Sequence, residues 1–76
     1  MRSSTSTMMT EKRSPAELLA LAIVAQACHD ARLPGQYHAA HDARRWINGL
    51  MFEEVCRVAD IRPEQVRNRL RKEGAL

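Results

Sequence analysis

The sequence has few of the features that mark membrane, secreted or enzymatic proteins. It contains no apolar stretch long enough to cross a membrane, and its first residues lack the apolar centre of a signal peptide. Its two cysteines are too few for a disulfide framework, and its three glycines form no glycine-rich phosphate loop. These absences predict a cytoplasmic protein without a membrane-spanning segment.

Cysteine and histidine occur at spacings that suit neither catalysis nor metal binding. Cys28, His29 and Asp30 follow one another on a predicted helix, so their side chains point in different directions. His38 and His41 lie on one helix face, but no CxxC pair completes a zinc site. A domain this small also has little room for a substrate pocket of about 300 Å³. We predict a non-enzyme with no catalytic residue, no metal and no cofactor.

A chain of 76 residues forms one small domain, which on its own is only marginally able to bury a core. Residues 1–13 are rich in Ser and Thr and show no apolar periodicity, so we predict a disordered tail there. Residues 14–76 are predicted to form a small all-α domain of four helices with a C-terminal helix-turn-helix. A partner chain would add to so small a core.

Capping and breaking residues set the predicted helix boundaries. Ser14-Pro15-Ala16-Glu17 is typical of a helix start with a capping box. Asn48-Gly49 predicts a helix stop in the left-handed conformation, and Trp46 and Phe52 on either side are expected to pack together. The four predicted helices cover residues 15–32, about 36–47, about 50–59 and 63 to about 72.

The first predicted helix is apolar on nearly every side in its first half. One set of residues at helical spacing is Leu18, Leu21, Ala22, Ala25 and Cys28, and another is Leu19, Ile23 and Gln26. So apolar a helix needs burial on more than one side. We therefore predict that Leu19, Ile23 and Gln26 contact a second copy of the chain or another protein, and that the chain is a homodimer.

The net charge of +3 comes entirely from the end of the chain. Residues 1–56 carry six basic and six acidic side chains, whereas residues 57–76 carry six basic against three acidic. A basic surface confined to one region is the electrostatic pattern expected of polyanion binding.

The last two predicted helices have the spacing of a helix-turn-helix. Cys56 is small where the helices must approach closely, and Ile61 in the turn can fill the gap between them. Val66 and Leu70 are four residues apart and form the inner side of the last helix. Asp60 occupies the turn position where a positive φ is expected, which Asp tolerates better than most residues.

With those two residues facing inward, polar side chains share the outer side of the last helix. Gln and Asn can pair with adenine edges and Arg with guanine, so we predict base contacts from Gln65, Asn68 and Arg69. Basic side chains nearby are predicted to contact DNA phosphates, which adds affinity without sequence information. They are Arg57, Arg62, Arg67, Arg71 and Lys72.

The stretch FEEVCRVADIRPEQVRNRL resembles the helix-turn-helix of sigma-factor region 4 and LuxR-type DNA-binding motifs. The pattern consists of an aromatic residue, an acidic pair, a small residue, an Ile-x-Pro turn and Val-Arg-x-Arg-Leu. Asp60 occupies the turn position that is usually Gly in these motifs. Cys56 occupies the helix position that is usually Ala. ARRWI, F-x-x-VC and I-x-PE-x-VR-x-x-L, spanning residues 43–70, are also similar to small uncharacterised proteins of proteobacterial phages, prophages and gene-transfer-agent regions.

These observations predict a protein that binds double-stranded DNA and acts in transcriptional regulation, and the second resemblance implies a phage or mobile-element origin. The alternative is a small helical interaction module without direct DNA binding. Such a module would dock on RNA polymerase or inhibit another host protein through its first or last helix.

Overall fold

A computed structural model describes residues 13–76, and these form helices without any strand. The predicted all-α fold is confirmed over this range, with each helix boundary within two residues of its predicted place. The predicted tail, residues 1–13, lies outside the described residues except for Arg13. None of the helices described here combines the length and apolarity needed to cross a membrane. The helices are α1 (Pro15–Ala31), α2 (His38–Ile47), α3 (Leu50–Val58) and α4 (Pro63–Lys72).

The start of α1 has the predicted capping box. The backbone N–H of Glu17 donates to Ser14 Oγ, and the backbone N–H of Ser14 donates to Glu17 Oε1, both over 3.1 Å. Pro15 lies in the first turn, where its missing N–H leaves no hydrogen bond unmade. These local signals fix where the helix begins.

Small residues of α1, rather than its leucines, face the core. The buried stripe is Ala20, Val24, Ala27 and Ala31, which differs from both sets at helical spacing in the sequence. Small side chains let α2 and α3 pack closely against α1. Leu19 and Ile23 are consequently left 63% and 41% exposed.

The end of α1 is held by a side chain from α2. Arg44 donates from Nε and Nη2 to the carbonyl of Ala31 over 3.1 and 3.0 Å, and from Nη2 to the carbonyl of Leu33 over 3.2 Å. A guanidinium at this position satisfies carbonyls that have no partner within the helix and suits the negative end of its dipole.

The junction between α2 and α3 differs from the prediction. Neither Asn48 (φ −84°) nor Gly49 (φ −99°) is left-handed, so the predicted left-handed stop at Asn48-Gly49 is wrong. Gly49 is instead the extended N-cap of α3, because the chain passes directly from one helix into the next. A Cβ at Gly49 would lie 3.4 Å from the carbonyl oxygen of Trp46, so the position favours a small residue.

The turn between α3 and α4 is a Schellman motif. Asp60 is left-handed with φ 59°, as predicted. Its N–H donates to the carbonyl of Arg57 over 3.2 Å, and the N–H of Ile61 donates to the carbonyl of Cys56 over 2.8 Å. Ile61 packs against the core from this turn, which confirms its predicted place.

A second Schellman motif follows α4. Gly74 has φ 77°, its N–H donates to the carbonyl of Arg71 over 3.0 Å, and the N–H of Ala75 donates to the carbonyl of Leu70 over 2.8 Å. Ala75 is thereby turned back into the core, where it is buried. Glycine favours this positive φ, so Gly74 suits the end of α4.

The core lies where α2, α3 and α4 meet beneath α1. Its largest fully buried side chains are Ile47, Phe52, Cys56 and Leu70. Trp46 packs edge-on against Phe52 with ring centroids 5.5 Å apart and an interplanar angle of 78°, which confirms the predicted pairing. The core fixes α4 by its inner side and leaves its other side in solvent.

Candidate nucleic-acid interface

The outer side of α4 is a continuous polar surface. Gln65, Asn68, Arg69 and Lys72 are all exposed and line one shallow depression; we call these four residues the α4 outward face. Val66 is half-buried and Leu70 fully buried on the opposite side of the helix. The structure therefore brings together the three residues predicted to contact bases.

Asn68 and Arg71 hydrogen-bond to each other along α4. Arg71 Nη1 donates to Asn68 Oδ1 over 2.9 Å, and both side chains are exposed. An asparagine that pairs with adenine uses its oxygen as well as its amide nitrogen. The amide oxygen has two lone pairs, so Oδ1 can accept from an adenine amino group while it keeps its hydrogen bond from Arg71.

Arg69 shares a carboxylate with Arg32. Glu73 accepts two hydrogen bonds from Arg32, at 2.6 Å from Nε and 3.3 Å from Nη2, and its Oε2 lies 3.9 Å from Arg69 Nε. The hydrogen bond from Arg32 is the main reason why the pKa of Glu73 is lowered, and the same bond raises the pKa of Arg32. Glu73 thus ties the end of α1 to the end of α4 and partly neutralises Arg69.

Four of the side chains predicted to contact phosphates are exposed, three on α4 or at its start and one on α3. Arg62, Arg71 and Lys72 are exposed on α4 or at its start. Arg57 is exposed on α3 but pairs with Glu54 at 2.7 Å. Because this pair lies in solvent, the attraction is weak and a phosphate can replace the carboxylate.

Arg67 is different, and the prediction that it contacts phosphates is wrong. It is only 6% exposed, the sole buried charged residue between positions 13 and 76. Its Nε donates to the carbonyl of Ile47 over 2.9 Å, and its Nη1 lies 3.1 Å from a carboxylate oxygen of Glu53 and of Glu64. A buried guanidinium with these partners cannot reach a ligand at the surface.

These polar pairs between distant positions could not be predicted from sequence spacing. Arg32 and Glu73 are 41 positions apart, and Arg67 binds groups 14 and 20 positions before it. Only the pairs of neighbouring charges on α4 follow from helical spacing, such as Glu64 with Arg67 and Arg69 with Glu73. The burial of Arg67 has one local indication, since its position lies between the inward-facing Val66 and Leu70.

The predicted partner interface on α1 lies on the side of the molecule where two shallow grooves adjoin. Leu19 and Ile23 line the first groove together with Val58, which is 48% exposed. Gln26 lies on the second, between α1 and α2, where Trp46 forms part of the floor and Gln26 Nε2 donates to Asp30 over 3.0 Å. Ile23 borders both grooves, so the three predicted residues form one surface.

The cysteines and histidines form no compact ligand set. Over positions 13–76, no three Cys, His, Asp or Glu side chains come together in an arrangement that could hold a metal ion. Cys56 is fully buried and Cys28 partly so, and burial raises the pKa of both thiols. Cys56 belongs to the apolar core, and Cys28 packs against it.

Comparison with known proteins gave no match. No protein-family model, no curated protein and no solved structure is similar to this chain at a significant level.

The contact between Arg32 and Glu73 predicts a measurable pKa change. Because the pKa of Glu73 is lowered by folding, the contact stabilises the protein above the unfolded-state glutamate pKa of about 4.3, and this contribution is lost as the pH falls through the folded-state value. Arg32→Gln should raise the pKa of Glu73 towards its ordinary value in a ¹³C NMR titration. Arg45→Gln, at an exposed position on α2, is the control. The same pKa in wild type and Arg32→Gln would contradict the assignment.

Proposed function

We propose that this chain is a helix-turn-helix protein that binds double-stranded DNA and regulates transcription. The observation that carries the proposal is the α4 outward face, where Gln65, Asn68, Arg69 and Lys72 are exposed side by side on the second helix of the motif. These side chains supply both amide groups for adenine edges and a guanidinium for guanine.

In the proposed mode of binding, α4 lies in the major groove with its N-terminal half towards the bases. Gln65, Asn68 and Arg69 then contact base edges, as in other helix-turn-helix proteins. No side chain caps the start of α4 at Arg62. Pro63 has no N–H and the N–H of Gln65 donates to the carbonyl of Arg62, so the N–H of Glu64 is left for a phosphate at the positive end of the helix dipole.

Phosphate contacts are assigned to the basic side chains that remain at the surface. Arg57 and Arg62 lie on one side of the start of α4, and Arg71 and Lys72 lie near its end. Four neutralised phosphates correspond to a slope of about −3.6 in log affinity against log salt concentration. Arg67 is left out of this set because it is buried.

The proposed protein acts in the cytoplasm as a homodimer, whose two copies of α4 would contact successive parts of the duplex. The exposed Leu19, Ile23 and Val58 on one groove support this arrangement, because apolar side chains gathered at a surface favour contact with another protein. We further propose an origin in a phage or other mobile element, which rests on the sequence pattern of residues 43–70 alone.

The same apolar surface favours a second candidate function. A small interaction module would use Leu19 and Ile23 to bind RNA polymerase or another host protein, with α4 in solvent. In that case the basic residues of α4 would only keep the protein soluble, since charged outer sides are common on helices.

Binding to DNA is tested by fluorescence anisotropy of a labelled mixed-sequence duplex at low and near-physiological salt. Wild type should bind with affinity that falls steeply as salt rises. Arg69→Ala should weaken the binding free energy by about 1–3 kcal/mol, which lowers the affinity for the duplex roughly five- to 150-fold, because a base-contacting guanidinium is removed. Arg45→Ala removes an exposed charge from α2 and should have little effect.

The outcome that rejects this function is equally clear. If the wild-type protein binds no duplex even at low salt, or if Arg69→Ala and Arg45→Ala bind equally well, the α4 outward face does not contact DNA.

The homodimer is tested by sedimentation equilibrium. Leu19→Asp should convert a dimer into a folded monomer, because a carboxylate would be buried without a partner at the interface. Leu50→Asp is the matched control: Leu50 is 78% exposed at the start of α3, away from that groove. A wild type that sediments as a monomer, or a Leu19→Asp variant that stays dimeric, would contradict the assignment.

A further inference from the structure

Arg67 is an unusual residue for the inner side of a small helical domain. Among residues 13–76 it is the one charged side chain that is buried, and it lies in the middle of α4. Lys and Arg are almost never fully buried unless they are paired. Its partners therefore explain why it is there.

The guanidinium of Arg67 is bound on every side. Nε donates to the carbonyl of Ile47 over 2.9 Å, and Nη2 donates to the carbonyl of Gly49 over 3.2 Å. Nη1 donates to Glu53 and to Glu64, both over 3.1 Å. Three of these hydrogen bonds join α4 to the end of α2, to the junction before α3 and to α3 itself, and the bond to Glu64 lies within α4.

The aromatic core completes this site. The guanidinium carbon of Arg67 lies 5.2 Å from the centre of the Phe52 ring, within the range of a cation–π contact. Phe52 is fully buried, and Trp46 packs edge-on against it. The Phe52 ring therefore limits movement of the guanidinium out of the guanidinium plane. The hydrogen bonds limit its movement within that plane.

A planar guanidinium with three directed bonds to other parts of the chain restricts rotation of α4 more than apolar packing can. Val66 and Leu70 hold α4 against the core, but apolar contacts have no fixed direction, and a narrow stripe permits the helix to turn about its axis. Buried ion pairs are often replaced by apolar residues with little loss of stability. Added stability alone is therefore a weak reason for an arginine here, whereas a fixed orientation is a strong one.

We infer that Arg67 is the positioning residue of the α4 outward face: it fixes the rotation of α4 so that Gln65, Asn68 and Arg69 are presented together to base edges. This inference rests on the proposed DNA binding. Arg67 acts through the helix and touches no DNA. Contact with bases requires side chains held within about 0.5 Å of their place, whereas contact with phosphates through long basic side chains tolerates a turned helix.

The test separates orientation from binding. In Arg67→Lys the charge remains, but the planar fork that binds the two carbonyls and Glu53 is lost. Arg45→Lys makes the same chemical change at an exposed position on α2, outside the proposed DNA-binding surface. Residual dipolar couplings of the α4 amides, measured without DNA, report how α4 lies relative to α1, α2 and α3.

Sequence discrimination is the second measurement. Wild-type protein is used to enrich duplexes from a random library, and the ratio of affinities for the best enriched duplex and a mixed-sequence duplex is then measured for each variant. We expect Arg67→Lys to turn α4 and to lower this ratio about tenfold or more. Affinity for the mixed-sequence duplex should stay within about threefold, because phosphate contacts depend on charge. Arg45→Lys should keep both the orientation and the ratio.

A variant at Glu53 keeps the test decisive if Arg67→Lys does not fold. Glu53→Ala leaves the arginine in place with Glu64 as its remaining carboxylate partner, and Glu53 is itself only partly buried. We expect a smaller change of the same kind, with α4 turned and the ratio lowered about threefold. Unchanged couplings and an unchanged ratio in this variant would overturn the inference.

The possible failures are distinguishable. The role of Arg67 is overturned if the dipolar couplings of α4 in Arg67→Lys equal those of wild type, or if the affinity ratio is unchanged although the helix has turned. Either result leaves DNA binding intact. A wild-type protein that binds no duplex rejects the proposed function, and the positioning role for base contacts falls with it.

Discussion

The hydrogen bonds from Arg67 to the carbonyls of Ile47 and Gly49 connect the parts of this small domain that its apolar core connects only weakly. Most of the buried apolar residues are alanines, so the helices approach closely but bury little surface. The guanidinium adds directed contacts where α2 ends, α3 begins and α4 crosses them. We therefore assign the orientation of α4, and with it that of the candidate DNA-binding surface, to these contacts.

A core built from small residues also explains why so many larger apolar side chains remain outside. Leu19 and Ile23 could not enter the close contact between α1 and its neighbours, which is filled by Ala20, Val24 and Ala27. Their exposure is the physical basis of the proposed homodimer. A domain of this size gains from covering such a surface with a second copy, because its own core is near the lower limit for independent stability.

Much of the backbone could be predicted because helix ends are specified by neighbouring residues. The capping box at Ser14, the left-handed Asp60 and the stop at Gly74 each depend on groups within a few positions of one another. The polar and apolar sides of α4 followed from helical spacing in the same way. The exposed Gln65 and Asn68 therefore lie where the sequence placed them.

The remaining features depend on contacts between distant parts of the chain. Nothing near Arg67 in the sequence reveals that the carbonyls at 47 and 49 lie within reach. The same holds for the contact between Arg32 and Glu73. The alanine stripe of α1 could not be predicted either, because apolar residues surround the helix and helical spacing does not indicate which side is buried. The prediction of a left-handed conformation at Asn48-Gly49 was wrong for a related reason. The next helix begins at once, and Gly49 is its extended N-cap.

In the proposed function, α4 has an outward face suited to base edges and a buried arginine that fixes the direction of that face. DNA should therefore contact the protein at α4. The most direct measurement is the change in backbone amide shifts of ¹⁵N-labelled protein as a mixed-sequence duplex is added at low salt. We expect the largest changes at Arg62, Gln65, Asn68 and Arg69. Shifts centred on Leu19 instead, or no shifts at all, would contradict DNA binding by α4.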